Sequence, residues 1–296
     1  MLRRVDPALV HRDPVESDCD LRMRYLGTAG FELRAGQHTI VVDPFVTRPG
    51  LLRTLFGRLR PDVERIRRVL PRADDVLVGH THYDHVLDAP ALCRHTGARL
   101  IGSPALAHVA RAAGLPDDQV RVTTGQEDIP SGPGFVRGLP SRHGRVYFNR
   151  VTLPGDITAP PSWPPRVTEL RHGPVLNWYV ELGGVRMAHV DSADFIADEL
   201  LELDRAHQVR SRGIDILCLC AIGRRYRPRY VEEAMELFNP RVIVACHWDL
   251  FTTPYEVEPA LLPGVDLPGF VDEIRQAGAR PIVLPLDGEV GVHART

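Results

Sequence analysis

The chain has no run approaching the roughly 20 apolar residues that a membrane-spanning helix requires. Its opening stretch, MLRRVDPALVHRDPVESDCD, carries arginines but neither the apolar core nor the small-residue cleavage site of a secretory signal. These absences predict a soluble, cytoplasmic protein. A disulfide framework is missing as well: the five cysteines, Cys19, Cys93, Cys218, Cys220 and Cys246, are odd in number and scattered, which predicts reduced thiols. Cys218 and Cys220 form a C-x-C inside the apolar run IDILCLCAIG, but no second pair stands by to complete a structural zinc site, and they read as buried strand residues. Nor is there an excess of charge of one sign. A net charge of -2 gives no general attraction to nucleic acid or to a membrane surface, although local basic clusters have to be judged separately. Short-period repeats and low-complexity tracts are also absent.

What is present is the make-up of a globular protein, with 296 residues, 44% of them apolar and 25% charged. From Leu21, LRMRYLGTAGFELRAGQHTIVVDPF alternates apolar and polar residues between turn signals, which predicts antiparallel strands. A loop with a helical turn or two follows, with Pro49 and Pro61 as breakers. Next come a buried strand in VLVG, a helix in DAPALCRHTG, a strand in ARLIGSP and a helix in PALAHVARAAG. The second half repeats this logic. VLNWYVELGGVRMAHVDS reads as a hairpin, GIDILCLCAIG and PRVIVACHW as buried strands, PRYVEEAMELF and GFVDEIRQAG as helices, and RPIVLPLDGEV as a closing strand. Hairpins followed by alternating strands and helices, twice over, predict an α/β protein: a four-layer α/β/β/α sandwich in one domain over 21–296, after an N-terminal extension of residues 1–20. The segment 153–173 holds five prolines and is expected to be a loop or flap.

In VLVGHTHYDH a strand stops and delivers His80, His82, Asp84 and His85 within six residues, at the strand end where open α/β sheets place functional groups. Imidazole and carboxylate are the usual ligands of zinc, and four of them this close cannot all reach one ion without strain. Two ions side by side is the economical arrangement, with further ligands from elsewhere. His143, Asp191 and His247 each arrive at the close of an apolar run and are the candidates.

Here the sequence resembles the metallo-β-lactamase superfamily, whose H-x-H-x-D-H motif reads as His80, His82, Asp84 and His85. The likeness runs from YLGTAGFEL and VVDPF to CHWDLF and is nearest to the lactonase and phosphodiesterase-like branch. It implies the superfamily's four-layer fold, one ion on His80, His82 and His143, a second on Asp84, His85 and His247, and Asp191 bridging them. It also implies that Asp43 orients a metal-bound histidine, whereas the residues alone equally allow a turn-capping Asp before Pro44. Oxygen-reducing diiron relatives carry Glu where His82 stands. Nitrogen-rich ligation points to two Zn2+, with Mn2+ or Fe as alternatives set by availability.

Two such ions, about 3.5 to 4 Å apart, would share a water and present it as hydroxide, which predicts a metallo-hydrolase with Asp84 and Asp191 as its catalytic carboxylates. Arg225 and Tyr226 in IGRRYRPRY, Arg142 beside His143, Tyr83 within the motif and Trp163 in the proline-rich segment are the candidate substrate-binding residues. Arginines suit a phosphate or carboxylate, so a small anionic ester, a phosphodiester or a lactone is the expected substrate. The alternative from another class is a non-hydrolytic protein using the metals for redox chemistry or ligand sensing. No nucleic-acid or membrane partner is expected. His95, His108, His172, His189, His207 and His293 fit no ligand pattern and read as packing or surface residues.

Overall fold

The computed structural model describes residues 3–295. The expected opening meander is β1 (Leu21–Gly27), β2 (Gly30–Ala35) and β3 (His38–Val42), whose alternation of apolar and polar residues keeps one face of each strand in a core. Two short helices follow, α1 (Leu51–Phe56) and α2 (Val63–Val69), between the breakers that the sequence supplies. From β4 (Asp75–Leu77) the chain passes through α3 (Tyr83–Val86) and α4 (Ala89–Thr96) to β5 (Arg99–Gly102), then through α5 (Pro104–Ala112) to β6 (Val120–Val122). β3, β4, β5 and β6 are mutually parallel.

The second half is built the same way. β7 (Asp128–Ser131), β8 (Gly134–Ser141), β9 (Val175–Leu182) and β10 (Val185–Val190) run antiparallel, and β10 then starts a parallel set with β11 (Ile214–Cys220), β12 (Pro240–Cys246) and β13 (Arg280–Ile282). Helices α6 (Ala197–His207), α7 (Val209–Arg212), α8 (Tyr230–Phe238) and α9 (Leu267–Gln276) occupy the connections. The closing stretch differs from expectation. It is two strands rather than one, because Pro285 and the turn at Asp287–Gly288 interrupt it, and β14 (Glu289–Val292) crosses to pair with β1 in the other sheet.

Two seven-stranded mixed sheets result, in the orders β14-β1-β2-β3-β4-β5-β6 and β13-β12-β11-β10-β9-β8-β7, flanked by helices as an α/β sandwich. Strand alternation sorts the core into layers. Ile40, Val42, Leu77 and Ile101 join one cluster with residues of the second sheet, while their neighbours Val41, Val76, Val78 and Leu100 join another with α2, α4 and α5. Among the described residues no helix is long and apolar enough to cross a membrane. Cys93, Cys218, Cys220 and Cys246 are free and buried, and burial pushes all four thiols up, in keeping with structural roles.

One buried ion pair ties the loops at one end of the sheets together. Asp249, three residues past β12, accepts from the Tyr25 hydroxyl at 2.5 Å and the Thr28 amide at 2.7 Å, and pairs with Arg48. Gly27 makes room for this, since a Cβ there would lie 1.6 Å from the Arg48 guanidinium. Burial alone would raise the Asp249 carboxyl, but Arg48, Tyr25 and the Thr28 amide outweigh it and hold it below the ordinary value. The other guanidinium nitrogens of Arg48 have no hydrogen-bond partner among the described residues. Asp249→Ala should therefore strand a buried cation and cost about 3–5 kcal/mol in chemical unfolding. A loss well under 1 kcal/mol would show that this pair does not hold the loops.

Candidate metal centre

Five strand ends from the two sheets converge on one place and deliver polar residues there. β3 leads to Asp43, β4 leads into His80 and His82, α3 carries Asp84 and His85, β8 leads to His143, β10 to Asp191 and β12 to His247. All seven residues expected as ligands meet in this cluster. Ligand atoms of His80, His82 and His143 lie within 4.8 Å of one another, as do those of Asp84, His85 and His247, and those of His80, His85 and Asp191. Asp43 and His247 hold positive φ angles of 44° and 53°, a conformation that costs energy in a residue with a side chain and that concentrates at functional sites.

Carboxylates fix the rings. Asp43 accepts from the Gly79 amide at 2.8 Å and reaches His85 Nδ1 at 3.0 Å, so it orients His85 and holds the strand end at once; of the two readings open at the sequence level, the orienting contact is present. Asp191 Oδ2 lies 2.7 Å from His80 Nδ1 and 3.7 Å from His85 Nδ1. Gly79 permits this approach, because a Cβ there would stand 2.2 Å from Asp191 Oδ2. His80 Nε2 is left facing His82 Nδ1 at 3.1 Å, and Asp84 Oδ2 stands 3.7 Å from His85 Nε2 and 3.4 Å from His247 Nε2.

Burial disfavours protonated imidazole, holding His80 well below its ordinary value, His82 at about 4 and His143 at about 3. These three rings are neutral near pH 7 and keep a lone pair free, the state in which histidine binds metal. His85 behaves oppositely. Burial would lower it, but Asp84, Asp43 and Asp191 outweigh burial and raise it to about 9. Burial would likewise raise Asp84, yet His85 and His247 hold it far below the ordinary carboxylate range. His82 Nε2, Asp191 Oδ1 and His247 Nδ1 are buried without a hydrogen-bond partner among the described residues. Unpartnered buried polar atoms are expensive in a finished protein interior. A nitrogen-rich set of neutral imidazoles and ionised carboxylates with such atoms left over fits a borderline divalent cation.

The cluster opens into a cavity of about 810 Å³, lined by all seven residues together with Leu51, Leu55, Tyr83, Val146, Tyr147, Leu153, Ile222, Leu250, Phe251 and Leu262. Tyr83, expected among the substrate-binding residues, lines this cavity. Arg142, Arg225, Tyr226 and Trp163 do not. Arg142 and Tyr226 line a separate hollow on the far side of His143, and Arg225 stacks on the Tyr226 ring. The loop after β11 turns Ile222 toward the metal residues, while Arg224 turns away to pair with Asp266 and Glu273. Trp163 packs partly buried against the helical side of the first sheet. In the proline-rich segment it is Leu153, Val167 and Thr168 that reach the cavity. Trp178 lies in the core of β9.

Sequence reasoning missed Tyr147, Leu51, Leu55 and Phe251, which sit in loops or a one-and-a-half-turn helix where no periodicity marks a lining residue. His172 is also nearer than expected, stacked on His143 with centroids 5.7 Å apart, but its Nδ1 is turned to the Gly173 carbonyl. His189 is a packing residue, as expected, bonded to the Ala29 carbonyl at 2.8 Å and edge-on to Phe31.

A β-lactamase superfamily domain model matches residues 22–247, from β1 to the last histidine of the cluster. The chain belongs to the metallo-β-lactamase superfamily. Similar curated proteins include a UPF0173 metal-dependent hydrolase of Symbiobacterium thermophilum, 28% identical over 272 residues, which span 89% of this chain and 96% of the relative. Another, from Methanopyrus kandleri, is 26% identical over 81% of this chain and 88% of its own. In fold, the chain is similar to Igni18, a metallo hydrolase of Ignicoccus hospitalis, with a TM-score of 0.58, 17% identity and coverage of 91% and 97%. It is also similar to the CmlA β-hydroxylase, with a TM-score of 0.61, 16% identity and coverage of 95% of this chain and 55% of that one.

The charge on His85 has a measurable consequence. A cation taken up at this group would have to displace a proton from a ring that stays protonated up to about pH 9. Metal titration by calorimetry in buffers of different ionisation enthalpy should show release of about one proton with the ion held by Asp84, His85 and His247, and affinity rising with pH through the neutral range. Pure buffer-independent heats would contradict a charged His85.

Proposed function

We propose that the protein is a metal-dependent hydrolase with a dinuclear, zinc-preferring centre, acting on an ester, lactone or phosphodiester whose non-reacting part is apolar. One observation carries this reading. Two three-residue ligand clusters stand side by side at the end of a cavity walled by leucines, valines and aromatics. The likeness to UPF0173 metal-dependent hydrolases supports the same reading. His80, His82 and His143 would hold one cation, and Asp84, His85 and His247 the other. Asp191 would contribute to holding them: Oδ2 orients His80, and Oδ1 is buried with no hydrogen-bond partner among the described residues. When bound, a pair of divalent cations supplies Lewis acidity to the substrate oxygen and brings the pKa of water toward neutrality.

The chain's own groups do the rest. Asp84 remains ionised at any working pH and can accept a hydrogen bond from the attacking water, orienting its lone pair toward the carbonyl carbon or phosphorus. Asp43 and Asp191 keep the His85 and His80 rings in place. Tyr83 and Tyr147 line the cavity with phenols that burial raises above their ordinary value, so both stay protonated as hydrogen-bond donors to charge developing on the substrate. Among the described residues no arginine lines the cavity, which moves the substrate away from the anionic character expected from the sequence and toward an apolar acyl or alkyl body.

Zinc-loaded protein assayed on lactones and p-nitrophenyl esters of increasing chain length should show kcat/KM rising by about fourfold per methylene until the cavity is filled. Bis-p-nitrophenyl phosphate serves as the phosphodiester arm. Absence of metal-dependent turnover throughout this series would sink the proposal. Elemental analysis of Asp191→Ala should find at least one of the two ions lost, and retention of both would remove Asp191 from its shared role.

A further inference from the structure

The apolar cavity does not end at its mouth. Nine large hydrophobic side chains are exposed among the described residues, and six of them, Leu51, Leu52, Leu55, Phe56, Tyr147 and Phe148, belong to two short segments that frame the cavity. Leu52, Phe56 and Phe148 are 75%, 73% and 89% exposed and do not line it; they project beyond it. The two segments meet at Tyr83, which faces Thr54 of α1 on one side and Tyr147 on the other. Soluble proteins scatter such residues singly, and a concentration around one opening marks a docking surface.

The charge around this rim is of one sign. Arg53, Arg58, Arg60, Arg145, Arg150 and Arg166 are exposed on the same segments and the adjoining flap, and none is in an ion pair among the described residues. Arg58 bonds the Ser162 hydroxyl and the Pro164 carbonyl, Arg145 the Asn149 carbonyl and Arg166 the Phe56 carbonyl, all neutral acceptors. Residues 44–61 contain no carboxylate, nor do residues 142–155. Glu169, in the flap, accepts from Ser162 and the Arg166 amide, and Arg58 is near enough to help hold its carboxyl down without forming an ion pair. A few residues on, by contrast, Arg65, Arg67 and Arg68 are all paired with Asp62, Glu64 or Glu256.

We propose that the cavity rim docks on an anionic lipid bilayer, with Leu52, Phe56 and Phe148 entering the headgroup boundary and the six arginines meeting lipid phosphates. Apolar side chains interleaved with unpaired cations are the composition that such a surface selects, and attraction is local, so a net charge of -2 over the whole chain does not oppose it. A second copy of the chain is a poorer occupant, because a symmetric contact sets the same arginines against each other. Docking would also bring the bilayer against the cavity mouth, letting an acyl chain pass into it without crossing water.

The test is flotation of full-length protein with vesicles of phosphatidylcholine alone and of phosphatidylcholine with about 30 mol % phosphatidylglycerol. The wild type should float with the anionic vesicles and about tenfold less with the neutral ones or in high salt. The triple variant Leu52→Ser, Phe56→Ser, Phe148→Ser should lose about tenfold of the binding while its melting temperature and metal content stay unchanged. The proposal is overturned if the wild type does not float with anionic vesicles, or if the triple variant floats equally well. A wild-type dimer that the triple variant dissociates, with no vesicle binding, would assign the rim to a second copy and overturn it too. Flotation involves no turnover, so its failure and that of the hydrolase reading are separately visible.

Discussion

A carboxylate of one sheet pressed against imidazoles of the other is the contact on which the rest of the site depends. Asp191 comes from the second sheet; His80 and His85, which it touches, come from the first. Buried and fully excluded from water, this carboxylate is tolerable only where donors surround it. The surroundings are shaped accordingly: Gly79 lacks the Cβ that would collide with it, and Asp43 holds the Gly79 amide and the His85 ring from the opposite side. The strained backbone at Asp43 and His247 belongs to the same arrangement, since both residues leave their strands abruptly to turn inward.

This geometry explains why two chemically similar clusters differ in protonation. At His80, His82 and His143 burial dominates and neighbouring imidazoles add to it, even though His80 also touches Asp191, and the rings are neutral. His85 stands among three carboxylates and carries a proton. Seven side chains of nearly the same kind are thereby divided into one group ready for a cation and another that must first give up charge.

Much of this was legible in the sequence because ligand chemistry is written in residue types at strand ends. His143, Asp191 and His247 could be found by asking which polar residues terminate apolar runs, and all three converge on the motif at 80–85. The cavity wall was not legible for a physical reason. Leu51, Leu55, Tyr147 and Phe251 are apolar residues in segments without periodicity, indistinguishable in one dimension from core residues. The arginines misled in the complementary way: their chemistry suited an anion, but position in the loop after β11 decides where they point, and Ile222 takes the place facing the cluster. Likewise RPIVLPLDGEV looked like one strand because its apolar pattern continues, whereas the turn at Asp287–Gly288 sends β14 back beside β1.

That return has a bearing on how the protein comes to exist. His247 is the last member of the cluster in chain order, and the strand that follows β13 is the edge partner of β1. A nascent chain on the ribosome therefore carries the four-residue motif long before it can surround it. The second ligand cluster cannot close until the chain has been made through His247, and the first sheet is not complete until β14 has emerged. A polypeptide that stops short of His247 would carry the motif at 80–85 without its most distant partner.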